Sequence, residues 1–293
     1  MSKIRDTHYY LGVDAGGTSC RARLVDKNGT ILGAGKSGPA TIARGADFAA
    51  RSIKACIKEA IAAAGLTMAD LADTSLAVGA AGTESSNKTS DLEARLALLD
   101  AAHFTLTSDA RTACLGAHGG GDGGVVIVGT GSIGYALVGG KTVRTGGFGF
   151  PVSDLGSGAH IGLAAVQYAL SKAGHQSSCD FAAAILRAVG TTNNQIAAWT
   201  ANATATDYAS FAPLVVDHAV SGNIFAADIL KAAAGHIAAL VSKLHILGAP
   251  SISLIGGLSA IIEPLIEQRV QMLLSPAKGD PIDGAILLAR TLQ

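Results

Sequence analysis

Residues 11–28, LGVDAGGTSCRARLVDKN, decide how the rest of the chain is read. An apolar strand runs from Leu11 into Asp14 and meets a turn of small residues, Ala15-Gly16-Gly17-Thr18-Ser19. A second alternating strand spans 21–26. Asn28-Gly29 is the dipeptide of a two-residue hairpin turn, and Thr30-Ile31-Leu32 opens a third strand. The segment is therefore expected to fold as strand, glycine turn, strand, tight turn, strand. Glycines let backbone N–H groups approach a ligand, and such a nest with two hydroxyls suits phosphate oxygens. A carboxylate just before the nest can hold a hydrated Mg²⁺ against the same phosphates. An ordinary hairpin whose glycines serve only the turn is the simpler alternative.

The chain has 293 residues, enough for one or two domains with a sizeable core. Hydrophobic residues make up 49% and charged residues 15%, which excludes a disordered chain. The formal net charge is zero, with no basic run, so nucleic acid and anionic membranes are poor partners. Residues 123–140 lack charge over a membrane-span length, but glycines break them at GTGS and GG, which rules out a spanning helix. MSKIRDTHYY has no apolar signal-peptide core, so the cytoplasm is the expected location. Cys20, Cys56, Cys114 and Cys179 form no metal-binding spacing and read as buried reduced thiols. His236 and His245 fall on one long helix and read as structural.

Outward from the opening hairpin, 45–64 has helical periodicity ending at Gly65, and 76–78 is a short strand. Ser90 and Glu93 form a capping-box pattern before a helix through Leu99. Residues 104–107 are a strand with Ser108-Asp109 at its carboxyl end, and a helix follows over 110–117. Strands alternating with helices predict an α/β protein with a mixed sheet. The glycine cluster at 119–124 marks a boundary, giving domains 1–117 and 118–293. The opening plan then returns: strand 125–128, turn Gly129-Thr130-Gly131-Ser132, strand 134–138, Gly139-Gly140, strand 141–144. We read a structural repeat from element order. The second half then turns helical, with helices over 156–173, 179–189 and 223–247, and two or three short ones within 193–221. A strand over 251–255 reaches Gly256-Gly257, a helix follows, and 283–292 closes the chain as a helix able to pack back on the first domain.

Three further motifs compete for meaning. Residues 129–134 match GxGxxG, but no crossover helix follows, so a dinucleotide fold is rejected in favour of a phosphate hairpin. GTILGAGKS at 29–37 is one residue out of register for a Walker A loop and reads as strand. Asp109 and Asp154 each precede a helix. Either can be an N-cap; Asp109 can equally be a general base at the sheet edge, and Asp154 an acceptor for the hydroxyls of a polar ligand.

The ordered set DAGGT at 14–18, SDA at 108–110, GTGS at 129–132, GFGFPVSDLGS at 147–157 and GG at 256–257 resembles the BadF/BadG/BcrA/BcrD-type ATPase superfamily. Within it, the bacterial glucosamine and N-acetylglucosamine kinases are most similar. The resemblance implies an actin-like, ribonuclease-H-like pair of domains with ATP and Mg²⁺ in the cleft. It implies Asp14 as the residue orienting hydrated Mg²⁺, and Gly16, Gly17, Thr18 and Ser19 as the first phosphate loop. Thr130, Gly131 and Ser132 would form the second, and Gly256 and Gly257 the adenosine motif. Asp109 would be the base that takes the sugar's 6-hydroxyl proton. Asp154, Thr41 and Gly131 would complete the sugar site with Asp109.

The chain departs from relatives in three places. Leu155 stands where they often have Glu, Phe148 where they often have Trp, and Thr41 where many have a sugar-binding Asn. These changes leave phosphoryl transfer intact and the amino sugar undecided. The implied activity is phosphorylation of glucosamine or N-acetylglucosamine. A dehydratase-activating ATPase and a non-catalytic sugar sensor are the alternatives on the same fold, and a homodimer is left open. Scattered cysteines oppose the first alternative. The absence of room for a helix-turn-helix before Tyr9 opposes the second.

Overall fold

The computed structural model describes residues 7–83, 87–172 and 180–292. The chain forms two compact units, one running up to Gly123 and resuming at Ala277, the other Gly124–Pro276. In the first unit, β1 (Tyr9–Ala15), β2 (Cys20–Asp26) and β3 (Ile31–Ser37) form the expected meander. Helix α1 (Ala46–Ala63), β4 (Thr74–Ala80), α2 (Asn87–Ala97), β5 (His103–Ser108) and α3 (Asp109–His118) follow. The strand order is β3-β2-β1-β4-β5. The β1/β2 and β2/β3 pairs are antiparallel; β1/β4 and β4/β5 are parallel. The carboxyl ends of β1, β4 and β5 therefore share one edge of the sheet.

Packing explains this arrangement. Central β1 is buried on both faces, as parallel strands between helical layers are. Residues Ala46, Ala49, Ala50, Ile53, Ile57, Ala60 and Ile61 of α1 repeat at three and four positions and cover one face. Gly33 and Gly35 of β3 let that helix touch the sheet. A Cβ at either would lie 2.1 Å from a carbonyl of α1, Ala60 O or Cys56 O.

The second unit opens with β6 (Gly123–Val128), β7 (Ser132–Val138) and β8 (Lys141–Gly146). Helices α4 (Gly158–Lys172), α5 (Asp180–Val189), α6 (Asn193–Asn202), α7 (Ala205–Ala209), α8 (Ala212–Val220) and α9 (Ile224–Ile246) come next. Then come β9 (Ile252–Ile255), α10 (Ser259–Ile262) and α11 (Gln268–Gln271). The strand order is β8-β7-β6-β9, with β7/β8 antiparallel and β6/β9 parallel. Among the described helices, α9 alone is long and apolar enough to cross a membrane. Its buried Ala226, Leu230, Ala233, Ala234, Ile237, Val241 and Leu244 recur at helical spacing in the core of this unit. The last helix, α12 (Pro281–Arg290), belongs to the first unit and lies against β1 and α3. Gly116 and Gly284 permit the α3–α12 approach: a Cβ on Gly284 would lie 1.8 Å from Thr112 O.

Several local expectations change. The β2–β3 connection is not a two-residue turn; it spans 27–30, and Asp26 Oδ1 accepts from the backbone N–H of Asn28 and Thr30. Asx-type capping replaces the Asn-Gly turn geometry. Ser90 lies inside α2, which begins at Asn87, so its spacing to Glu93 is not a capping box. Helix α4 starts at Gly158 because Asp154 (φ 61°) and Gly156 (φ 82°) hold left-handed conformations that no helix continues through. The helix expected after Gly257 is broken into short pieces, with Pro264 just after α10. Cys179 lies outside the described residues; Cys20, Cys56 and Cys114 are buried free thiols.

Candidate active site

In the first unit, the shared carboxyl edge collects Asp14 from β1, Asp109 after β5 and the segment around Thr41. Pairings Ala15↔Ala80 and Ala80↔Ser108 put these strand ends level. This is the edge at which α/β sheets bind ligands. The turn after Asp14 is closed by Gly16 N–H donating to Ser19 O at 3.0 Å, and Ala40 N–H donates to Gly16 O at 3.0 Å. Gly17 and Thr18 are exposed at its tip. Thr41 caps the 3₁₀ turn Ile42–Arg44, its hydroxyl accepting from Ala43 N–H at 3.3 Å.

Asp14 sits directly across from Arg21 in the hairpin, and Arg21 Nη2 donates to its Oδ2 at 2.7 Å. Burial raises the Asp14 carboxyl above its ordinary value, and the Arg21 hydrogen bond and charge pull against that. Among the described residues no cluster of three or more metal-ligating side chains exists. One carboxylate beside a phosphate-type turn nevertheless fits Mg²⁺, which keeps most of its waters and is held by one or two carboxylates plus substrate phosphates.

Asp109 is the first residue of α3 and is not its cap. Ser108 holds that position, its hydroxyl accepting from Arg111 N–H at 3.2 Å. Asp109 Oδ1 accepts from Ala110 N–H at 2.9 Å, and a negative charge in a first helical turn is favourable.

In the second unit, the turn 129–131 is closed by Gly129 N–H donating to Gly131 O at 2.9 Å, with Thr130 exposed. The start of α4 is tied to it through Gly158 N–H to Gly129 O and Ala159 N–H to Thr130 O. Asp154 faces the turn: a Cβ on Gly131 would lie 2.5 Å from Asp154 Oδ2. The other carboxylate oxygen accepts from Gly149 N–H at 3.1 Å. Burial raises the Asp154 carboxyl, opposed by that N–H and by the charge of Arg144. Exposed Gly256 and Gly257 follow β9 beside the end of β6. Gly256 has φ 105°, and a Cβ there would lie 2.4 Å from Val128 O, so only glycine fits.

Ser132 is the residue expected to close the second phosphate loop. Its side chain is buried and donates to Leu155 O at 2.9 Å. The hydroxyl ties the turn to the Asp154 loop; Thr130 is the hydroxyl exposed at the turn. Arg21, Arg144 and Ser108 also contribute to these sites. Arg21 becomes legible once the hairpin register is known. Arg144 donates to Gly146 O and Gly147 O and lies 5.1 Å over the Phe148 ring, a set of contacts with no sequence signal.

The sequence profile of the BadF/BadG/BcrA/BcrD ATPase family matches residues 11–289. The glucosamine kinase GspK of Vibrio cholerae is 37% identical over 290 residues, 96% of each chain. A candidate N-acetylglucosamine kinase from Chromobacterium violaceum superposes with a TM-score of 0.89 at 30% identity, covering 97% of this chain and 99% of that one. A ROK-family glucokinase from Streptomyces griseus, solved with glucose and AMPPNP, shares the fold alone, with a TM-score of 0.58 at 20% identity over 97% and 99% of the chains. With the profile spanning nearly the whole length and both glycine turns in place, the chain belongs to the BadF/BadG/BcrA/BcrD ATPase family.

Proposed function

We propose that the protein is an ATP-dependent kinase that transfers phosphate to the 6-hydroxyl of an amino sugar. The observation that carries this reading is Asp109 at the strand-carboxyl edge that also bears Asp14 and Thr41, in a helix whose cap is supplied by its neighbour Ser108. The likeness to kinases of glucosamine and N-acetylglucosamine supports the choice of acceptor.

Phosphoryl transfer asks a protein for positioning and charge stabilisation more than for covalent chemistry. Gly16, Gly17, Thr18 and Ser19 bind phosphate oxygens, as do Thr130 and Gly131. Gly256 and Gly257 accept the adenosine. Asp154 and Thr41 orient the sugar by its hydroxyls. Asp109 takes the proton of the 6-hydroxyl as its oxygen bonds to the γ-phosphorus, and the bond from that phosphorus to the ADP oxygen breaks. Asp14 would hold hydrated Mg²⁺, which supplies charge neutralisation to the triphosphate when bound. The partners are two small molecules, with no nucleic acid or membrane, and ATP as donor fits a cytoplasmic enzyme. A coupled ADP-release screen over amino sugars and plain hexoses tests this. Amino-sugar-dependent release is expected; release that no sugar stimulates overturns it.

A further inference from the structure

We propose that Arg21 is a displaceable counter-ion of the metal site, and that Asp280, the N-cap of α12, is the positioning residue that receives its guanidinium when the Mg²⁺ of a bound nucleotide claims Asp14. This rests on the reading of Asp14 as the carboxylate that holds hydrated Mg²⁺. Arg21 and Arg23 stand two residues apart on β2 and so share one face of the sheet. Arg23 meets α12 there, Nη2 donating to Asp280 Oδ2 at 3.0 Å and Nη1 to Asp283 Oδ1. Arg21 Nη2 donates to Asp14 Oδ2 instead. Asp280 is charged within reach of both: its charge adds to burial in raising the Asp14 carboxyl, and it adds to the Asp14 hydrogen bond in raising Arg21. Charges therefore alternate from the metal site to the start of the last helix, as Asp14, Arg21, Asp280, Arg23 and Asp283, all within the first unit.

The guanidinium is free to turn and Asp280 is not. Among the described residues Arg21 makes one hydrogen bond, through Nη2, and its side chain is 43% exposed, so it has donors to spare and no packing that locks it. Its register partner on β3 is Lys36, a like charge that disfavours movement to that side. Asp280 is fixed by its own backbone. Its Oδ1 accepts from Asp283 N–H at 2.9 Å, and a Cβ on Gly116 would lie 2.0 Å from Asp280 O, and one on Gly12 2.7 Å from Ile282 O. A carboxylate has about four acceptor positions, and Asp283 N–H and Arg23 occupy two of them, which leaves places for Arg21. A divalent cation brought onto Asp14 repels the guanidinium already there, and partly buried charges at short range are weakly screened. Transfer to Asp280 removes that repulsion without leaving Arg21 unpaired.

The test is calorimetric affinity for the non-hydrolysable ATP analogue AMPPNP, without sugar, in Mg²⁺ and in EDTA. The ratio of the two affinities measures how well the metal is held. Asp280→Asn keeps an N-cap, since asparagine caps as well as aspartate. It should lower the ratio by about 5-fold, the low end of ordinary coupling between sites, with affinity in EDTA unchanged. In an Arg21→Gln background no guanidinium has to move, so the same substitution should change the ratio less than about 2-fold. Arg23→Gln breaks the same ion pairs with α12 but leaves Asp280 charged, so it should keep at least the wild-type ratio. Arg21→Gln alone leaves α12 untouched and should do the same; a fall there would mean that Arg21 supports the metal in place, which overturns the proposal. So does an unchanged ratio in Asp280→Asn, an equal loss in both backgrounds, or an Arg23→Gln that behaves as Asp280→Asn does. Wild type that binds AMPPNP equally in Mg²⁺ and EDTA overturns the metal reading of Asp14 and this proposal with it. Wild type that shows the metal dependence but phosphorylates no sugar overturns the acceptor reading alone.

Discussion

Asp154 Oδ2 occupies the space that any side chain on Gly131 would need, 2.5 Å from the position of its Cβ. The phosphate-type turn and the carboxylate assigned to the sugar are thus one packed unit. Gly131→Ala should push the carboxylate aside and raise the sugar KM by about 10-fold or more, at a stability cost of about 1–3 kcal/mol for overpacking. Gly129→Ala is the control: nothing lies within 4 Å of its Cβ, so near wild-type kinetics are expected. Steady-state kinetics on the pair separate the contact from general loop stiffening, and equal effects in both would count against it.

Asp109 and Ser108 divide two jobs, base and cap, both of which the sequence alone allows for Asp109. Asp109→Asn should leave the melting temperature close to wild type, because the cap hydrogen bond comes from Ser108. Loss of the base should lower kcat by about 10²–10⁴-fold. Ser108→Ala should do the opposite and cost about 1 kcal/mol of stability with kcat largely retained. Thermal melts beside turnover numbers decide it; an Asp109→Asn enzyme with wild-type kcat would remove Asp109 as base.

Asp14→Asn should raise the Mg²⁺ concentration for half-maximal rate by about 10-fold or more while leaving sugar binding without nucleotide unchanged, since one carboxylate is the protein's share of the site. Titration of rate against Mg²⁺, with calorimetry for the sugar, checks both halves. An unchanged Mg²⁺ dependence would mean that Asp14 serves only its ion pair with Arg21.

What the sequence revealed follows from how local each signal is. The three-and-four repeat in α1 and the apolar run of β1 depend on neighbours in the chain, and both elements lie where their patterns put them. Gly116 and Gly284 could not be read that way, because each exists for a carbonyl on an element far away in sequence. The cap of α3 failed for another reason: Ser108 and Asp109 are both good caps, and only the backbone decides which holds the half-in position. The company of Ser132 in GTGS does not reveal that strand alternation turns its side chain inward. Asp14 and Arg21 are seven positions apart and meet only because the turn between β1 and β2 sets their register.

Sugar binding should weaken on acidification earlier than an ordinary aspartate would allow. Asp154 accepts hydroxyl hydrogen bonds most strongly as a carboxylate, and burial raises its pKa. Affinity is therefore present above that raised value and lost as pH falls through it. Arg144 pulls the same pKa down, so Arg144→Gln should move the loss to higher pH, whereas Arg144→Lys, keeping the charge, should move it less. Sugar KM followed across the acid range tests this, and superimposable profiles for wild type and Arg144→Gln would refute it.

Stability should also depend on pH through His160, with the opposite kind of group. Burial lowers its pKa below the ordinary 6.5, and the nearby His236 adds to the effect. The folded protein thus binds fewer protons here than the unfolded chain, so stability rises with pH where the two differ. That window runs from the depressed folded value up to 6.5; above it the contribution is constant, and below 6.5 acidification progressively removes it. The ring is only partly buried, so the slope is shallow. His160→Phe keeps an aromatic ring against His236 and cannot take a proton. Its urea midpoint should fall less than wild type's between pH 7.5 and 5.5 (about one pH unit either side of the ordinary value). Equal losses in the two proteins would show that other groups carry the acid sensitivity. A larger loss in His160→Phe would mean that the imidazole is held charged in the folded state, the reverse of what its burial dictates.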